Sequence, residues 1–233
     1  MLLWYYLMMG YRIKFAIGEF YHIYNRGVDK RVIFDDHLDY QRFLLLMLLA
    51  NDTSNVDLNQ SFRDFSIPEL IILDRNPIVC LGAFSLMPNH FHFVLSELAE
   101  GSITSFMRKV ATGYSMYFNM KNERTGTLFQ GRYKAKHLNS DNYLRYIYQY
   151  IHLNKVRDTF DSADQDSAVD LIKIAESDPY NSFSVYSGKE KGRLSESVVD
   201  TDMMYKVYVD YSDHIKNLLQ WKESALYYKE QSK

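Results

Sequence analysis

Residues 78–96 read IVCLGAFSLMPNHFHFVLS, and this stretch decides the fold. Ile78 to Leu86 and His90 to Ser96 are rich in β-branched and aromatic residues, and Met87-Pro88-Asn89 between them has turn-forming chemistry. They predict a β-hairpin. In its second arm His90 and His92 alternate with Phe91, Phe93 and Leu95. Successive strand residues point to opposite faces, so the two imidazoles project together while the apolar side chains pack on the other side. Spacing alone leaves two readings open, a structural histidine pair or two nitrogen ligands presented side by side.

Working outward, FYHIYN at 20–25 reads as a first strand, interrupted by Arg26-Gly27 before Val32, Ile33 and Phe34. Asp35 or Asp36 can cap a helix over Leu38 to Ala50, where Tyr40, Phe43, Leu44, Met47 and Leu48 recur at helical spacing. Residues 51–76 read as a loop with a short helical turn around Pro68 to Leu73. After the hairpin, Ser102 can cap a helix from Ile103 to about Asn122, Gly126 precedes a strand over Thr127 to Lys136, and Ser140 or Asp141 caps a helix to about Val156. The order strand, helix, strand, strand, helix, strand, helix predicts an α+β fold, a ferredoxin-like sandwich with an antiparallel sheet and helices on one face. Residues 18–158 form this predicted domain. Residues 1–17 are an N-terminal extension, and 159–233 a mostly helical C-terminal extension.

Hydrophobic residues make up 47% and charged residues 24% of the 233, with 20 Tyr and 14 Phe, which excludes an intrinsically disordered chain. The single cysteine, Cys80, cannot form an internal disulfide, and a reduced cytoplasm is the expected compartment. The apolar run Met1 to Gly10 has no basic leader or small-residue cleavage site and is too short to span a bilayer. It is expected to be a poorly ordered extension, with Met8 or Met9 as alternative starts.

Net charge is only -2, but it is segregated. Between residues 101 and 160 ten Lys or Arg face three acids, a net of +7, which leaves -9 for the rest. Arg132, Lys134 and Lys136 alternate on the predicted fourth strand and so share a face that can meet phosphates, or is simply solvated. Phe129, Tyr133 and Tyr117 could stack on unpaired bases, although core packing suits most of them better. His22, near Arg26, reads as a satisfied core histidine, and His137 and His152 receive no role.

In the helix over Tyr143 to Val156 (YLRYIYQYIHLNKV), Tyr150 and Asn154 lie four apart on one face, with Tyr146 a turn earlier. A phenol and an amide oxygen could thus approach one site, although an aromatic core stripe has the same spacing.

Four ordered stretches, FYHIYNRG at 20–27, MPNHFHFVL at 87–95, LFQGRYK at 128–134 and YIHLNKVR at 150–157, together resemble a known family. It is the single-tyrosine transposases of the histidine-hydrophobe-histidine superfamily, in the insertion-sequence-200-like group and its REP-associated branch. The resemblance spans roughly residues 18–158 and continues faintly in YNSFSVY at 180–186. It implies His90 and His92 as metal ligands, Tyr150 as nucleophile, and Asn154 as the third ligand from the tyrosine helix. The branch usually has Asn-Pro where this chain has Asn154-Lys155.

The implied activity is a metal-dependent DNA transposase, an endonuclease and strand-transferase on single-stranded DNA that works through a 5′-phosphotyrosine. The implied cofactor is Mg²⁺ or Mn²⁺; with no thiolate set, a structural zinc fits poorly. Arg26, Arg132, Lys134 and Lys136 are the expected DNA-binding residues, and the expected partner is a hairpin or palindromic repeat. Monomer and homodimer both stay open, and no membrane association is expected. The rival reading is a domesticated, non-catalytic single-stranded or hairpin DNA-binding protein.

Overall fold

The structure, a computed structural model, describes residues 13–54, 64, 66–157, 165–188, 194–205, 207, 208 and 210–220. The expected extension over 1–17 therefore lies mostly outside the described residues, as does the chain from 221 onward.

Four strands, β1 (Phe20–Arg26), β2 (Val79–Met87), β3 (His90–Glu97) and β4 (Lys134–His137), form an antiparallel sheet in the order β2-β3-β1-β4. Helix α1 (His37–Ala50) and the short α2 (Ile67–Ile72) follow β1, α3 (Ser102–Lys121) connects β3 to β4, and α4 (Asp141–Leu153) follows β4. This is the expected ferredoxin-like arrangement.

Why the helices start where they do is local chemistry. Asp36 caps α1 by accepting the Asp39 amide at 3.0 Å, and Ser140 caps α4 by accepting the Tyr143 amide at 3.3 Å. Helix α3 departs from expectation. Its N-cap is Gly101 at φ 79°, Ser102 is the first helical residue, and the Glu97 carboxylate accepts the Ile103 amide at 3.1 Å instead. The fourth strand is also shorter than predicted. Gly131, at φ 95°, turns the chain, so that residues 127–133 run outside the strand, held near the end of β1 by a Gly27–Phe129 bridge and by the Gln130 amide donating to Arg26 O at 2.8 Å.

The sheet alternates as the sequence requires. Tyr21, Ile23, Phe84, Leu86, Phe91, Phe93 and Leu95 pack with Phe43, Leu46, Met47, Phe106, Val110 and Tyr114 of α1 and α3 in the main core. Burying each such side chain contributes ~1.5–3 kcal/mol. The expectation of helices on one face only does not hold: the other face is covered too. Ala83 and Val94 meet Leu144, Ile147, Tyr148 and Ile151 of α4, together with Tyr186, Met203 and Tyr208.

The last three come from the C-terminal extension, whose described helices are α5 (Gln165–Glu176), α6 (Phe183–Tyr186), α7 (Leu194–Val198), α8 (Thr201–Tyr205) and α9 (Tyr211–Leu219). This extension seals the outer edge of β2. The Leu86 amide donates to Tyr180 O at 2.9 Å, the Ser182 amide to Phe84 O at 3.0 Å, and the Asp200 amide to Leu81 O at 2.8 Å. An edge strand with such groups unpaired would invite other chains. Gly82 sits at a register shift in β2, and a Cβ there would fall on the Tyr148 hydroxyl, so the glycine lets α4 lie close against the sheet.

Candidate active site

The strand register assembles one polar patch on the sheet face beneath α4. Tyr24 pairs with His92, Arg26 with His90, and His22 with Val94 across β1 and β3, while Lys134 and Lys136 pair with Tyr24 and His22 across β1 and β4. Residues paired in register share a face, so His22, Tyr24, His90, His92, Lys134 and Lys136 all belong to this side.

The two expected histidines project together, with ring centroids 5.0 Å apart. His90 is partly exposed, and its Nδ1 lies 2.6 Å from Asn89 Oδ1. Burial, then the positive charges of Arg26 and Arg157, push its pKa down to about 4. His92 is buried, and burial followed by the neighbouring His22 holds it well below the ordinary imidazole value. Both rings are therefore neutral near pH 7. His92 Nδ1 is 2.8 Å from His22 Nε2, whereas His92 Nε2 is buried with no hydrogen-bond partner among the described residues.

Helix α4 delivers the expected tyrosine to this place. The Tyr150 ring stands edge-on to His92 with centroids 5.4 Å apart, and Tyr146 stacks 6.4 Å behind it. Tyr150, not Tyr146, is thus the phenol against the histidines. One turn on, Asn154 is buried and its amide nitrogen also lacks a partner among the described residues. Turning that amide over would present its oxygen instead. Lys155, standing where a proline was expected, makes an ion pair at 3.3 Å with Asp178 of the C-terminal extension. The helix ends at Leu153 without a proline.

Among the described residues no three His, Cys, Asp or Glu side chains are placed to hold a metal ion. Any cation site here must then be mixed, with the imidazole nitrogens supplemented by an amide. The unpartnered His92 Nε2 and Asn154 amide have the chemistry for it, since a buried polar atom without a partner is costly unless something binds it.

The basic residues divide. Lys134 and Lys136 lie on the histidine face as expected, and Arg26 lies opposite His90 with Nη2 3.5 Å from Asn89 Oδ1. Arg132 does not join them. It precedes the shortened strand, lies over the Tyr133 ring at 5.2 Å and reaches Thr104 of α3 at 3.4 Å, so it is directed toward the helical layer. Phe129 is buried in the main core, and the Tyr117 hydroxyl donates to Asp39 at 2.8 Å, so both are structural.

Three residues at the site carried no role in the sequence reading. His22 is buried as foreseen, but its partner is His92. Tyr24 has its ring 5.7 Å from His92, and burial raises its pKa. Arg157 lies with its guanidinium carbon 5.1 Å from the Tyr150 ring centroid. The signals were present: His22 and Tyr24 repeat the i, i+2 spacing of His90 and His92, and Arg157 follows Tyr150 by two helical turns.

Comparison with known proteins gives one family match and one match in fold. Residues 74–154 match the family described as Transposase IS200 like, a span that contains the hairpin, both histidines, Tyr150 and Asn154. No curated protein matches the chain. Among solved structures, a REP-associated tyrosine transposase bound to a REP hairpin is similar in fold, with TM-score 0.51 and 16% identity over 78% of this chain and 87% of that one. No helix among the described residues is long and apolar enough to cross a membrane.

Proposed function

We propose that the protein is a transposase that nicks and rejoins single-stranded DNA through a covalent link to Tyr150. The observation that carries this reading is the meeting of Tyr150, on α4, with His92, on β3, at 5.4 Å between ring centroids. A phenol has a pKa near 10 in isolation, so its attack on a phosphodiester needs nearby positive charge. His90, His92 and Asn154 would hold a divalent cation, Mg²⁺ or Mn²⁺, which when bound would supply that charge and polarise the scissile phosphate.

The protein's own residues do the rest. The Tyr150 hydroxyl oxygen attacks phosphorus from the helix side while the sheet side grips the phosphate oxygens, the positioning that makes in-line displacement fast. The bond from phosphorus to the 3′ oxygen breaks, that oxygen leaves with a proton as a free 3′-hydroxyl, and the phenol proton is lost to solvent. The strand stays joined to Tyr150 as a 5′-phosphotyrosine. Attack by another 3′-hydroxyl reverses the step, expels the phenol and joins strands without ATP. Arg26, Lys134 and Lys136 hold neighbouring phosphates, with an affinity that falls steeply as salt rises.

The family match and the hairpin bound to the structural neighbour support a DNA substrate that is single-stranded beside a hairpin. A compact site between a sheet and a helix favours one strand over two, and the sequence carries no phosphate-binding Gly-rich loop of the helicase kind to drive strand separation. The single cysteine suits work in the reducing cytoplasm.

The test is to incubate the protein with labelled single-stranded hairpin DNA and Mg²⁺. A covalent protein–DNA adduct is expected, and equal cleavage of a relaxed duplex would overturn the substrate assignment. Tight hairpin binding with no adduct under any divalent cation would leave a non-catalytic DNA-binding protein.

A further inference from the structure

We infer that His22 is a positioning residue for this site: by accepting a hydrogen bond from His92 Nδ1 it fixes His92 in the tautomer whose Nε2 lone pair faces the candidate cation position. The inference rests on the proposed function for its purpose, and on the geometry of the two rings for its substance. His22 and His92 are diagonal neighbours on β1 and β3, with His22 Nε2 and His92 Nδ1 2.8 Å apart and the rings stacked at 5.0 Å. Both are almost wholly buried, at 6% exposure each.

A neutral imidazole carries one N–H and one lone pair, so a bond between two neutral rings has only two arrangements. Either His92 donates from Nδ1 and keeps a lone pair on Nε2, or His22 donates from Nε2 and His92 must carry its own proton on Nε2. The second arrangement buries an N–H donor with no partner, since His92 Nε2 has none among the described residues. Orphaned buried N–H groups are rarer than under-satisfied acceptors, so this arrangement is the costlier one. It also closes Nε2 to a cation. The first arrangement leaves an unpaired acceptor that a cation satisfies. A ligand histidine is commonly oriented in this way by a partner on its other nitrogen, more often a carboxylate or carbonyl. Among the described residues no carboxylate is hydrogen-bonded to His92, and a second histidine takes the place.

Nitrogen-15 spectra of the metal-free, uniformly labelled protein decide the tautomer without any variant. His92 should show its proton on Nδ1 and an unprotonated Nε2; a proton on Nε2 would overturn the inference. Mn²⁺ titration followed by electron paramagnetic resonance then reads the consequence. His22→Phe keeps the ring but removes the acceptor, and should weaken Mn²⁺ binding by about 10- to 100-fold. His22→Gln restores an acceptor and should recover most of the loss, whereas a merely structural role would make Phe the better replacement. Unchanged Mn²⁺ affinity in His22→Phe would also overturn the inference. If the wild-type protein bound no Mn²⁺ while His92 held its proton on Nδ1, the proposed cation would fall and the positioning of His92 by His22 would stand.

Discussion

His152 on the tyrosine helix and His214 on α9 share a hydrogen bond of 2.8 Å, both rings wholly buried, with the second nitrogen of His152 3.0 Å from Ser182 Oγ. The back of α4 is therefore tied to the C-terminal extension by a chain of neutral polar groups, while its front carries Tyr150. His214→Phe, which keeps most of the volume, should cost about 1–3 kcal/mol by leaving His152 Nδ1 without its partner. Urea denaturation measures this, and an unchanged midpoint would show that the tie contributes nothing.

The same residue makes stability depend on pH. Burial among His152, Tyr208 and Phe183 pushes His214 down to about 3 from an ordinary 6.5. Between those values the unfolded chain binds a proton that the folded one refuses. Stability is then complete above pH 6.5 and falls as the pH drops toward 3, by about 1.4 kcal/mol per unit from this group once well inside the window. Urea midpoints at pH 7.5 and pH 5 should differ, and the difference should shrink in His214→Phe.

Tyr150→Phe removes only a hydroxyl from a half-buried ring. Adduct formation should fall at least about 1,000-fold, as expected for loss of a nucleophile, while the melting temperature and hairpin affinity stay close to those of the wild type. Tyr146→Phe should retain the adduct. The opposite pattern would move the nucleophile one helical turn.

On the proposed mechanism, Arg157 over the Tyr150 ring would place a fixed positive charge where phenolate and phosphate charge gather. Its replacement by Ala should slow single-turnover adduct formation by about 100-fold, the scale of losing one preorganised charge-stabilising group. Lysine at the same position should restore part of the rate, and wild-type rates in the Ala variant would remove Arg157 from the site.

Gly82→Ala places a methyl group on the Tyr148 hydroxyl. The overpacking should cost about 1–3 kcal/mol in urea denaturation. Because Tyr148 is carried by α4, adduct formation should slow as well. A stable variant with an unshifted rate would show that α4 can stand further from the sheet.

Much of this was legible in the sequence because it follows from strict periodicities. The strand period of two put His90 and His92 on one face and Phe91 and Phe93 on the other, and the helix period aligned Tyr150 with Asn154. The resemblance then joined the two segments. What stayed hidden depended on register and turns. His22 alternates like any half-buried strand residue, and only the pairing of β1 with β3 brings it to His92. Arg132 had the right parity for the basic face, but Gly131 turns the chain and β4 starts two residues later. The charge run over 101–160 gave no warning of this, because net charge along a sequence says nothing about which side of a sheet each side chain occupies. The cover that Tyr186, Met203 and Tyr208 lay over the second face was likewise unreadable, since these residues belong to short, separate segments without sustained periodicity.

The sealed edge of β2 and the buried backing of α4 bear on how two chains could cooperate. Tyr150 meets the histidines of its own chain, and exchanging α4 with another copy would require peeling the segment at 180–182 from β2 and breaking the tie to His214. A mixture of two dead proteins, one Tyr150→Phe and the other His92→Ala, should therefore stay dead, whatever assembly the chains form. In a cell carrying one intact and one nucleophile-less copy of the gene, each intact chain would keep its full complement of reacting groups, and the defective copy would interfere only by occupying DNA.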